Sequence, residues 1–273
     1  MKIRARRRIS ELLVAVLLVF LLPGTSRAED DPNDSSQSKD ASAQTPKTLT
    51  ELGIQFEFAS ALTGAARKGA INSLEQPLQS VLQSDLDDAE KAAATFLFAE
   101  MEGELNRPSK ARELFEKAAK EDKRGPFVDD AEFAAIRALE AEGQNEEALK
   151  QWKKWEEGHP HSPLLAQAWI ARAWNELRQS KWDQAKKTLD QLKSIAPWTS
   201  GMQRVVVARA TLLYAQGDPA ACLSELAKAP AHSAAVSYLK ALCYDEQAEV
   251  LHAAAAYQEV YERYPDSPLR YLG

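Results

Sequence analysis

The sequence predicts an all-α protein: an α-solenoid of stacked antiparallel helix pairs, about five repeats with a helical cap at the N-terminal end. Three observations predict it. One spacing recurs, in which a small residue is followed by a large apolar residue four positions on and by another apolar residue three further. It reads Ala111-Phe115-Ala118, Ala148-Trp152-Trp155, Ala185-Leu189-Leu192 and Ala253-Tyr257-Val260, with a weaker copy at Cys222-Leu226-Ala229. The leading small residues at 111, 148, 185 and 222 are 37 apart, and the last step, to 253, is 31. Twelve residues ahead of each stands Ala99, Ile136, Ala173, Ala210 or Ala241, so four of five first-helix positions are also small. Finally, no alternating run bounded by turns occurs, so no sheet is expected. Repeats of this length stack side by side rather than closing one core.

Residues 1–28 read as a cleaved secretory signal. Lys2, Arg4, Arg6, Arg7 and Arg8 precede eleven consecutive apolar residues, Leu12 to Leu22, and Ser26-Arg27-Ala28 offers a cut after Ala28. Eleven residues fall short of the about 20 a bilayer span requires. An uncleaved anchor is the lesser alternative. The chain is therefore expected to be exported, periplasmic or secreted, meeting a membrane only through the transient signal. Residues 29–47 are Asp, Ser, Gln and Pro with almost nothing apolar, which predicts a disordered linker.

Apolar periodicity begins at Thr48. Leu52, Phe56, Ala59 and Leu62 mark one helix, weakened at its end by Gly64. Leu74, Leu78, Val81 and Leu82 mark a second, short one with Pro77 in its first turn. Residues 48–84 form the expected cap, and 85–268 the array. Small residues facing each other on two adjacent helices let their axes approach closely, and Phe115, Trp152, Leu189 and Tyr257 fill the seam beside them. Gly143-Gln144-Asn145 and Gly217-Asp218-Pro219 are placed between paired helices. The runs from Pro160 to Pro163 and from Pro265 to Pro268 are placed between pairs, with Ser162 and Ser267 each capping the next helix. Pro230 cuts the fourth pair short. The tail 269–273 is expected to fold back on the last pair and to shield part of its open face.

Over residues 86–265 this rhythm resembles the tetratricopeptide repeat family. The resemblance rests on Trp169, Ala173, Ala185, Leu189 and Pro197, and on Ala241, Tyr244, Ala253, Tyr257 and Pro265. Ile136 stands where the family has a small residue and Glu176 where it has Tyr; the period exceeds the family's usual repeat. The export signal and the turns at His159–Pro163 and Tyr264–Pro268 are similar to those of bacterial envelope members such as the Tol-Pal cell-division coordinator and outer-membrane assembly lipoproteins, although no cysteine follows the apolar run.

Chemistry is scarce. His159 and His161 lack the further ligands a metal site wants. Acidic pairs such as Asp87-Asp88, Asp129-Asp130 and Glu146-Glu147 fall at helix starts, where they complement the dipole. No phosphate loop, nucleophile elbow or dinucleotide motif occurs. No catalytic residue, metal or cofactor is expected, and the chain is not read as an enzyme. Removing residues 1–28 takes six of 34 basic and one of 40 acidic side chains, leaving 28 against 39, a net charge of −11. That balance argues against a nucleic-acid partner. Cys222 occupies a small-residue position, which predicts a buried thiol; a bridge to Cys243 is the alternative.

The partner is expected to be a protein or peptide. In tetratricopeptide arrays the inner face of the first helix lines a concave groove, and here its residues run Phe96 and Glu100, Phe133 and Arg137, Ile170 and Trp174, Val207 and Thr211, Tyr238 and Leu242. By that resemblance Phe96, Phe133, Arg137, Ile170, Trp174, Val207, Thr211, Tyr238 and Leu242 are the candidate partner-binding residues, with Trp174 and Phe133 at least partly accessible and Trp152 buried. A groove filled by the chain's own ends is the competing reading. Trp152, Trp155, Trp169 and Trp182 read as core. Other readings are a subunit of an envelope assembly complex with no free peptide ligand, and a carbohydrate- or peptidoglycan-associated solenoid. The open last repeat is also a candidate for self-association.

Overall fold

The computed structural model describes residues 48–123, 125 and 127–272. The expected signal, its cut after Ala28 and the linker lie outside the described residues. Among the described residues there are twelve α-helices and no strand. They fall into two compact units that meet in sequence at Ser162 and Pro163.

The first unit holds α1 (Leu49–Ala61), α2 (Gly64–Leu82), α3 (Asp88–Glu104), α4 (Pro108–Glu121), α5 (Val128–Ala141) and α6 (Asn145–Gly158). Thr48 and Asp87 open α1 and α3 through capping boxes, each accepting from the third helical N–H while Glu51 or Glu90 bonds back to the cap. The second helix differs from expectation. It starts at Gly64, which adopts φ 56°, and carries Pro77 in its interior rather than its first turn. Proline there removes a backbone bond. Burial of Ile71, Leu74 and Leu78 in one cluster with Leu52, Phe56, Leu97, Phe98 and Met101 holds the helix through it.

The second unit holds α7 (Leu165–Arg178), α8 (Trp182–Ile195), α9 (Gln203–Ala215), α10 (Pro219–Leu226), α11 (Ala234–Glu246) and α12 (Val250–Arg263). Short 3₁₀ segments follow α8 at Pro197–Gly201 and α12 at Pro268–Tyr271. The eight-residue α10 is the helix shortened ahead of Pro230, and its missing turns account for the short last step of the repeat. Ser267 caps the terminal 3₁₀ segment as expected, accepting from the Leu269 N–H. Ser162 does not cap α7, whose N-cap is Leu164; its hydroxyl donates instead to the Asp129 carboxylate.

All ten repeat positions are buried: Ala99, Ile136, Ala173, Ala210 and Ala241 on the first helices, and Ala111, Ala148, Ala185, Cys222 and Ala253 on the second. The turn inside each pair is also one device used five times. Asn106, Gly143, Ser180, Gly217 and Ala248 have φ between 56° and 83°. The residue after each donates its N–H to a carbonyl five back: Arg107 to Glu102, Gln144 to Leu139, Lys181 to Glu176, Asp218 to Leu213 and Glu249 to Tyr244. This is the Schellman closure of a helix end. The sequence pattern marks only the two glycine turns.

A buried carboxylate ties the first helix of three pairs to the second. Glu102 accepts from Arg107 at 3.1 Å and Lys110 at 2.6 Å. Glu140 accepts the Trp152 indole N–H at 3.1 Å and pairs with Arg137. Glu176 accepts the Thr188 hydroxyl at 2.7 Å. The carboxylate at 176, where the family has Tyr, thus answers a buried hydroxyl, and a donor buried without an acceptor is costly.

Candidate interaction surface

The structure corrects most of the expected groove. Ile170, Trp174, Val207, Thr211, Tyr238 and Leu242 are core residues of the second unit. Trp174, expected to be accessible, is 4% exposed and donates its indole N–H to the Arg204 carbonyl at 3.2 Å. Trp174 thus faces the first helix of the next pair, and stacking covers it. Thr211 turns its hydroxyl back to the Val207 carbonyl. Tyr238 packs edge-on against Tyr257, and its hydroxyl reaches the Leu272 carbonyl at 3.4 Å. Leu269 is fully buried and the Arg270 guanidinium lies 4.1 Å from the centre of the Tyr261 ring, so the terminal segment packs onto the last pair. Trp152 is completely buried.

In the first unit the expected residues stay half-buried. Phe133 sits edge-on to Trp152 and Trp155, with centroids 4.9 and 5.8 Å away. Arg137 is tied to Glu140. Phe96 meets Phe115 edge-on at 5.2 Å and stacks on Phe127 at 6.2 Å. Phe127, just before α5, is 45% exposed. One turn beyond Phe96, Glu100 lies within electrostatic reach of Glu57 on α1, Glu104 on α3 and Asp130 on α5. Glu100 remains exposed, but partial loss of water to the neighbouring helices, then repulsion from these three, pushes its carboxyl up to about 7. Glu104 is neutralised by Arg67. Among the described residues no cation pairs with Glu57, Glu100 or Asp130. Asp130 is itself held above the usual carboxylate range by burial and by Asp129.

Sequence reasoning places Glu100 on the inner row and Asp130 at a helix start, but not the two together with Glu57, because α1 falls outside the 37-residue register. It also passes over Phe127, in a connection, and Trp198. Trp198 is 69% exposed on the 3₁₀ segment after α8, beside exposed Ile195 and Met202. Chemistry-bearing side chains stay dispersed. Among the described residues no three or more His, Cys, Asp or Glu come together as a metal site. His159 lies tilted against Trp155, ring centres 5.0 Å apart, and bonds Glu132 at 2.8 Å. No described helix is long and apolar enough to cross a membrane.

Residues 235–267, covering α11 and α12, match the tetratricopeptide repeat family. No curated protein sequence matches the chain. Among solved structures, the chain is similar to PilW, a type IV pilus biogenesis factor, with TM-score 0.61 and 14% identity over 81% of this chain and 97% of that one. It is similar to PilF of Pseudomonas aeruginosa, with TM-score 0.58 and 17% identity over 82% and 96%. A thermophilic tetratricopeptide protein of Thermus thermophilus gives TM-score 0.53 and 18% identity over 66% and 96%. At such identities the shared property is the fold.

Proposed function

From a chain that carries a tetratricopeptide repeat and folds as that family does, we infer an exported, non-catalytic scaffold that binds a protein or peptide partner in the bacterial cell envelope. The observation that carries the reading is the first unit's accessible acidic–aromatic face. Phe96 and Phe127 offer apolar area, and Glu57, Glu100 and Asp130 offer negative charge that no described cation answers. A face of that chemistry suits a segment bearing Lys or Arg beside apolar side chains. Rigid helices hold both groups in place, so little ordering cost falls on the scaffold when a segment docks. Of the expected binding residues, Phe96, Phe133 and Arg137 are kept: Phe96 as a contact, the other two as supports of the same unit. Export rests on the layout of residues 1–28, and the envelope on likeness to PilW and PilF. Self-association through the last repeat is supported by Val250 and Leu251, both exposed at the start of α12.

Capture from a bacterial envelope extract tests the reading. The parent chain should retain proteins that Glu100→Lys/Phe127→Ala, melting no lower than the parent, does not. Equal retention by both would remove this face as the site. A second reading, glycan binding, is favoured by Trp198 alone, whose open ring could stack on a sugar. Binding of purified glycan strands that Trp198→Ala abolishes would select it.

A further inference from the structure

Cys222 on α10 and Cys243 on α11 are both fully buried, as free thiols. The Cys243 Sγ donates to the Cys222 Sγ across 2.9 Å. The two residues lie on consecutive helices of the second unit, and the twenty residues between them include the whole α10–α11 connection. A covalent bond would bring the sulfurs to about 2.0 Å, a closure of less than about 1 Å. Both thiols sit in well-packed apolar surroundings with Leu226, Leu239 and Val260 in the same cluster, so neither can rotate far from the other. Cys222 also fills a position where the other pairs have alanine.

We propose that Cys222 and Cys243 are joined by a disulfide when the chain folds in an oxidising compartment, stapling the shortest helix of the second unit to the next pair. The electrons go to an external disulfide such as oxidised glutathione. The thiolate of one cysteine attacks a sulfur of the oxidant, forming a mixed disulfide and releasing one glutathione thiol. The thiolate of the other cysteine then attacks the protein sulfur of that mixed disulfide and releases the second. The protein loses two protons and two electrons, and the oxidant gains both. The close pairing with the Cys243 sulfur, followed by burial, holds the Cys222 thiol far up, so the folded protein presents almost no thiolate there. The bond therefore forms while the α10–α11 connection is still open and is slow to form or break once the unit has closed. The staple acts where it is most needed. With only eight residues, α10 has Leu226 as its one large apolar side chain that is fully buried, beside Cys222 itself.

The test is a thiol count on the full chain refolded from denaturant in oxidised and reduced glutathione, then denatured and alkylated. The expected product is a monomer with no free thiol, a mass lower by two hydrogens and a peptide cross-linking Cys222 to Cys243. Adding reductant should lower its melting temperature by roughly 6–12 °C, the shift expected for closing a loop of this length. Should refolding fail, the same count is made on chain secreted into an oxidising compartment, with no refolding step. Both thiols free, each capped by glutathione, or cross-linked between chains would overturn the proposal. So would an intramolecular bond whose reduction leaves melting unchanged.

Discussion

Single residues carry more of this fold than their types suggest. The left-handed position in the turn of each helix pair is glycine at 143 and 217, asparagine at 106, serine at 180 and alanine at 248. The left-handed conformation costs a residue with a Cβ about 1–2 kcal/mol, and glycine avoids that cost. Ala248 has no side chain able to bond its own backbone, so it bears the cost in full. Ala248→Gly should stabilise the second unit by roughly 0.5–1 kcal/mol, after allowing for the extra freedom glycine gives the unfolded chain. Gly143→Ala should cost about 1 kcal/mol, although the added methyl group would meet only open space. Urea midpoints of the two variants check this. Equal and opposite shifts identify backbone conformation, since neither change touches a packed side chain. The same scale shows why the turns are only half legible in the sequence. Glycine announces itself, whereas Asn106, Ser180 and Ala248 are recognised only by counting 37, 37 and 31 residues along from the glycines.

At the scale of helices, the period gives the register and the register gives the seam. Ala173 and Ala185 are both fully buried where α7 meets α8. Replacing Ala185 by Trp asks that contact to accept an indole, which overpacks it by roughly 1–3 kcal/mol or more. A lowered urea midpoint with retained helical circular dichroism is the expected outcome; an unchanged midpoint would mean the α7–α8 contact is loose. The helices from Asp88 onward are legible because their apolar positions repeat, and α2 is misread because Pro77 looks like a start. Proline is a local signal. What holds α2 through it is tertiary, the burial of Ile71, Leu74 and Leu78 against α1 and α3. The groove residues fail for a related reason. Standing one residue past the small position or three before it fixes a direction, but whether that direction meets solvent depends on the next pair. In the second unit it meets α9, α11 or the terminal 3₁₀ segment, and Trp174, Val207 and Tyr238 are core. No single-repeat pattern contains that information.

At the scale of the whole molecule, charge decides how the proposed face behaves. The chain is acidic from residue 29 onward, yet Glu100 is singled out because α1 and α5 take away part of its water, although it stays exposed, and bring Glu57 and Asp130 near it, with Glu104 one turn along its own helix. Its folded carboxyl titrates near 7, against an ordinary value of 4.5. The folded protein therefore holds a proton there through a window in which the unfolded chain has already released it. Stability from this group is thus greatest on the acid side and declines as pH rises from the ordinary value towards 7, above which the full repulsion is expressed. Glu100→Gln should flatten that decline and raise the neutral-pH melting temperature. Binding runs the other way. A Lys- or Arg-bearing segment meets a protonated Glu100 at about pH 6 and a carboxylate at about pH 8, so its affinity should rise across that range and weaken with added salt. Titrating a labelled basic, aromatic-containing peptide at both pH values, with the parent chain and with Glu100→Gln, separates the two effects. Stability and affinity moving in opposite directions with pH, both flattened by the one substitution, would place the partner on this face. Affinity indifferent to pH in the parent would move the partner elsewhere, with Trp198 the next residue to change.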